Sequence, residues 1–239
     1  MLEGASDEAL LELADYILTG QNGDSQAEDD TESWLPNKLR AFCSHISAHK
    51  ELVSQVKAEL AGYHIDCFVA HEDIEPSKHW LEIIQARLRS CDLLLAFLTD
   101  GFHESNWTDQ EVGFCVARSI PILPIKCGID PYGFISSIQA IRAGDRKPVP
   151  IANAVLHITT THPAIIPAMT KAVVEGFIAS NSYSVSKSGV HALGKLPHIC
   201  EEDLQRIESA VQANEQIYKS FGVPDRARAI IARHRKREA

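Results

Sequence analysis

Trp107 and Glu111 stand four residues apart in Ser105-Asn106-Trp107-Thr108-Asp109-Gln110-Glu111, just after the apolar run at 93–98. On a helix, positions i and i+4 share a face, so the indole and the carboxylate would point the same way. Such a pair can hold a flat, positively charged ring and stabilise positive charge developing on a sugar. If the apolar run is a strand of a parallel sheet, the pair lies at its carboxyl end, where ligand crevices open. A plainer pattern fits the same residues. Thr108-Asp109-Gln110-Glu111 has capping-box spacing, in which Glu111 would only satisfy a backbone donor at a helix start.

Other residues are candidates for the same chemistry. Ser44 and His45 end a short apolar stretch beginning at Leu39, where they could hydrogen-bond a phosphate or a ribose. His45 reads chiefly as a strand-end hydrogen-bonding residue, with a base role as the sharper alternative. Trp80 offers a second stacking surface, yet it also starts the apolar stripe Trp80, Ile83, Ile84, Leu88, the mark of a core position. No H-E-x-x-H pattern or finger-like cysteine spacing is present, so no metal site is expected. There is no G-x-S-x-G elbow, and no G-x-G-x-x-G or P-loop.

Composition narrows the class. The chain has 239 residues, 45% of them hydrophobic and 23% charged, which is ordinary globular usage. No run of 18 apolar residues and no signal-like N-terminus is evident, so neither a membrane helix nor export is expected. Six scattered cysteines, none in C-x-x-C, read as reduced core residues of a cytoplasmic protein. The net charge is −9, and residues 1–32 hold ten acids with no Lys or Arg. The rest is near neutral, with a short basic end at Arg226, Arg228, Arg233, Arg235, Lys236 and Arg237. Without a broad basic face, dedicated nucleic-acid binding is not expected.

Around these residues, strand and helix patterns alternate. Residues 7–18 suit a short amphipathic helix, and 20–31 an acidic linker. Apolar stretches at 39–43, 65–69, 93–98, 120–125 and 138–141 predict five strands, with helices between them. The unbroken run at 93–98 predicts a central strand buried on both faces. Pro121 and Pro124 place the fourth strand near a sheet edge. Beyond about 148 the alternation stops: 150–180, broken by Pro163 and Pro167, then 201–220 and 224–237 read as helices, and 180–194 as a polar loop. The organisation expected is an acidic N-terminal segment (1–36), an α/β core (37–148) and a C-terminal helical region (149–239). That last region would pack on the core or mediate assembly.

Four pieces, in order, carry a family resemblance. Phe42-Cys43-Ser44-His45 resembles the first-strand motif of TIR domains. The segment His71-Glu72-Asp73-Ile74-Glu75-Pro76-Ser77-Lys78-His79-Trp80 resembles the loop after their second strand, with Asp73 a candidate substrate contact. Ser105 to Gly113 resembles their signature entering the third helix. Asp130-Pro131-Tyr132-Gly133-Phe134 with Gln139-Ala140 is similar to stand-alone bacterial members. The likeness spans roughly 37–145. It implies a flavodoxin-like sheet of five parallel strands, with additional helices after it. For many bacterial members it also implies cleavage of the nicotinamide–ribose bond of NAD, giving ADP-ribose or a cyclic isomer, in antiviral defence.

In that reading Glu111 is the essential glutamate and Trp80 and Trp107 are stacking candidates for nicotinamide or adenine. NAD is then substrate rather than cofactor, and a neighbouring protomer's loop completes the site in a homo-oligomer held by TIR–TIR contacts. Two other readings stay open. One is a TIR module that signals by assembly without chemistry. The other is an N-glycosidic enzyme of the nucleoside deoxyribosyltransferase kind.

Overall fold

The computed structural model describes residues 34–70 and 80–238, the side chains of Trp80 and Glu238 excepted. The helix and linker expected before residue 34, and the loop 71–79 with Asp73, lie outside the described residues. From Trp34 onward the chain forms one compact unit.

The elements alternate as their apolar spacing requires. Strand β1 (Leu39–Ser44) leads through a 3-10 turn at Ser47–His49 to α1 (Lys50–Ala61), which buries Val53, Val56 and Leu60. Then come β2 (Ile65–Phe68), α2 (Trp80–Ser90), β3 (Leu93–Leu98), α3 (Thr108–Ala117), β4 (Ile122–Lys126) and the short β5 (Ile141–Arg142). All pairings are parallel, in the order β2-β1-β3-β4-β5. This is the flavodoxin-like α/β arrangement, with β3 at the centre and every residue of it buried.

The two-residue period of β3 divides the core. Leu93, Leu95 and Phe97 face α1 and the C-terminal helices, while Leu94, Ala96 and Leu98 face α2 and α3. The proline-bearing β4 lies one strand in from the edge. Because β5 pairs only with Ile125 and Lys126, β4 is effectively an edge at Pro124, where proline is tolerated. Trp34 closes the α2 side. Its indole N–H donates to Ser90 Oγ at 2.9 Å, and the Arg87 guanidinium stacks 4.4 Å from its ring centroid.

The C-terminal region is helical: α4 (Pro148–Thr159), α5 (Ile166–Ile178), α6 (Tyr183–Leu193), α7 (Glu201–Ala213), α8 (Glu215–Tyr218) and α9 (Val223–Glu238). Prolines 148 and 167 sit in first turns, where the missing N–H costs no bond. The structure corrects the loop expected at 180–194. Ser182 caps a helix there by accepting from Val185 N, and its buried stripe is made largely of Ser186, Gly189, Val190 and Leu193.

One continuous hydrophobic cluster joins Leu95 and Phe97 of β3 to Met169, Phe177, Leu193, Leu204 and Ile231. Full burial of one such side chain is worth about 1.5–3 kcal/mol, against a total domain stability of roughly 5–15 kcal/mol. A fragment ending at residue 160 is therefore expected to lose cooperative folding before chemistry can be asked of it. A soluble fragment with a sharp thermal transition would overturn this.

Candidate functional site

The site is built at the carboxyl end of β1 and β3. β3 ends at Leu98, and shortly after it Gly101 turns the chain at φ 82°, a left-handed conformation that suits glycine. A 3-10 turn at Phe102–Glu104 follows, and Thr108 Oγ1 donates to the Phe102 carbonyl, tying the start of α3 to that turn. Thr108 is fully buried. Helix α3 thus begins with Trp107 beside the crevice and carries Glu111 one turn inward.

Glu111 does not form the capping box that its spacing allows. The helix starts from Trp107 with no side-chain cap, and the Glu111 carboxylate turns to the sheet instead. Its Oε2 accepts a hydrogen bond from Ser44 Oγ at 2.5 Å, across 67 residues of sequence. Its Oε1 has no partner among the described residues. Glu111 is only 7% exposed. Burial pushes its carboxyl up to about 7, against the opposing pull of the Ser44 hydrogen bond. Cys115, one turn further along α3, is also buried, and its thiol is pushed up by its contact with Cys91, by burial and by the Glu111 charge.

A cavity of about 540 Å³ opens over this carboxylate, lined by His45, Asp100, Glu104, Ser105, Trp107 and Glu111 among others. Trp107 is 38% exposed and forms an aromatic wall. Three carboxylates and no Lys or Arg are among the described lining residues, so the cavity favours a cation. His45 is largely buried, and its Nδ1 lies 2.9 Å from the Cys43 carbonyl. In that geometry Nδ1 carries a proton, and Nε2 of the neutral ring is an acceptor.

The structure thus brings Glu111, Trp107 and His45 to one cavity. It places Ser44 elsewhere: at 1% exposure, behind Glu111, its hydroxyl is given to the carboxylate and not to a ribose or phosphate. Trp80 begins α2, and its side chain lies outside the described residues. Asp100 and Glu104 were not singled out from the sequence. The Asp100-Gly101 turn pair, one residue beyond the central apolar run, was the signal for the first. His45 and His49 are four apart but fall on a strand end and a 3-10 turn, and among the described residues no three His, Cys, Asp or Glu side chains are placed to hold a metal ion.

A second polar cleft, at the ends of β4 and β5, contains Lys126 and Arg142. Among the described residues no helix is long and apolar enough to cross a membrane.

No curated protein matches the chain. The model of one family does match, over a stretch that takes in the second half of β1, all of β2 to β5, the Trp107–Glu111 segment and the first turn of α4: residues 42–152 match the TIR domain.

Proposed function

We propose that this protein is an NAD nucleosidase, of the glycohydrolase or ADP-ribosyl cyclase kind, with Glu111 as its catalytic carboxylate. The observation that supports this most is a buried glutamate with one oxygen held by Ser44 and the other left for a ligand, beside Trp107 in an acid-lined cavity. The TIR family includes NAD-cleaving enzymes as well as assembly modules. A pure assembly module gains nothing from a buried, half-satisfied carboxylate, whose desolvation is a cost to the fold.

The chemistry follows from charge. Nicotinamide in NAD is already cationic, so the C–N bond breaks with its electron pair passing to the ring nitrogen, and no acid is needed to protonate the leaving group. Positive charge moves to the ribose, which becomes oxocarbenium-like. An ionised Glu111 stabilises that charge or holds the ribose hydroxyls. Trp107 stacks on the departing ring. Attack at the anomeric carbon by water, with loss of a proton, gives ADP-ribose. Attack by an adenine nitrogen gives a cyclic isomer.

The test is NAD loss and nicotinamide release by concentrated wild-type protein beside Glu111→Ala. Release by the wild type alone supports the reading, and equal release by both removes Glu111 from it. Because the ionised carboxylate is the working form, activity should rise with pH through an acid limb near 7, the value to which burial pushes Glu111. A limb near 4.5 would mean that Glu111 titrates as an ordinary exposed acid. Homo-oligomerisation and a role in antiviral defence accompany this proposal through the family resemblance.

A further inference from the structure

Ser44 is the single side-chain partner of Glu111 among the described residues. Sequence spacing placed it as a substrate contact, but the fold gives it a different task. Phe42 and Ser44 alternate with Cys43 on β1, and Phe42 faces the α3 side of the sheet. Two residues on, Ser44 therefore also faces α3, under its first turns. Its register partner on β3, Ala96, adds only a methyl to that face. Among the described residues, the hydroxyl reaches one carboxylate oxygen and no other group.

We propose that Ser44 is a positioning residue for Glu111: its hydroxyl clamps Oε2, fixes the plane of the carboxylate and leaves Oε1 to the ligand. This rests on the reading of Glu111 as the catalytic carboxylate and adds the device that orients it. A free glutamate side chain has several rotamers, and a clamp from a strand fixes one of them without consuming the second oxygen. A neutral donor also favours the ionised carboxylate without neutralising it, as an arginine partner would. The negative charge then stays available to the developing ribosyl cation. No Lys or Arg lines the cavity among the described residues to compete for it.

The clamp has a consequence that a merely structural hydrogen bond lacks. Removing the donor takes away the one interaction that favours the charged form, while burial stays. In Ser44→Ala the acid limb of kcat should therefore move upward by about one pH unit, the size of one hydrogen bond to a charged group. Turnover below the limb should fall about tenfold, and part of it should return above pH 8. Ser44→Thr, which keeps the hydroxyl, should leave the limb in place. Ser44→Cys serves if alanine does not fold, because a thiol is a weak donor of similar volume.

A readout independent of turnover separates the two levels of the argument. The infrared band of the protonated Glu111 carboxyl, taken as the difference between each protein and its Glu111→Gln counterpart, titrates the group directly. An upward shift of its midpoint in Ser44→Ala, matched by the kinetic limb, supports the clamp. An unmoved midpoint, or activity lost equally at every pH, overturns it while leaving Glu111 itself standing. If Glu111→Ala cleaves NAD as fast as wild type, the catalytic reading falls, whatever the infrared midpoint shows.

Discussion

Glu111→Gln should lose at least roughly two orders of magnitude in NAD turnover, the scale of removing one preorganised electrostatic group, and should at the same time be more stable than wild type at neutral pH. Both effects come from the same burial. The amide is nearly isosteric with the carboxylate and its oxygen still accepts from Ser44, so packing is kept and only the charge is lost. In the wild type, burial raises the folded-state pKa from the ordinary 4.5 to about 7. A raised carboxyl pKa favours folding below the unfolded value, where the group is protonated in both states. That advantage is lost as pH rises from about 4.5 through about 7, since ionisation is easier in the unfolded chain. Above that window the folded wild type bears the full desolvation cost. At about 1.4 kcal/mol per pKa unit, the gap between variant and wild type should be on the order of 3 kcal/mol at pH 8 and close to zero at pH 4.

Denaturant titrations of both proteins at these two pH values measure it. His64, which burial lowers to about 4, titrates alike in both chains and cancels in the difference. A variant that is equally stable at pH 8, or equally active, would show that the Glu111 charge is neither costly nor used. Stability gained on removing a catalytic charge is the usual sign of a site held against the interest of the fold.

The local part of this site was legible in the sequence and the tertiary part was not. Trp107 and Glu111 could be paired because helical spacing is a backbone property, and β3 could be placed centrally because six consecutive apolar residues need two covered faces. The capping box was equally compatible with that spacing. Which pattern held depended on a serine 67 residues away, and no local rule carries that information.

The direction of Ser44 was open for the same reason: a strand end faces both the crevice and the helix above it, and only the position of α3 decides that its hydroxyl meets Glu111. Helix α6 was hidden by its composition. Its buried stripe uses Ser186 and Gly189, small polar or flexible residues that read as loop unless a close neighbour requires them. Beyond the central place of β3, the strand order was not in the periodicity. It came with the family resemblance, which the match over residues 42–152 supports.

That close neighbour is His64, and it sets up the second large effect. His64 follows α1 in a left-handed conformation, φ 60°, with its backbone carbonyl accepting from Leu39 N at 2.8 Å. Its ring is driven into the C-terminal helices. A methyl added at Gly176 of α5 would lie 2.1 Å from Nδ1 and 2.5 Å from Cε1, and one at Gly189 of α6 would lie 3.2 Å from Nε2. Neither ring nitrogen has a hydrogen-bond partner among the described residues, and the residue is only 2% exposed. The imidazole is thus held by shape, as a neutral wedge between two glycines that join the sheet to the helical region.

Glycine to alanine inside a helix ordinarily stabilises by up to about 1 kcal/mol. Gly176→Ala should instead destabilise by about 3 kcal/mol, the upper range for overpacking, because the added methyl would overlap a buried ring. His64→Gly removes the ring and relieves the left-handed backbone, so in the double variant alanine at 176 should regain most of its helical advantage. Denaturation midpoints of the two single variants and the double variant close the cycle. A neutral or stabilising Gly176→Ala on its own, or strict additivity with His64→Gly, would show that His64 does not hold the two layers together.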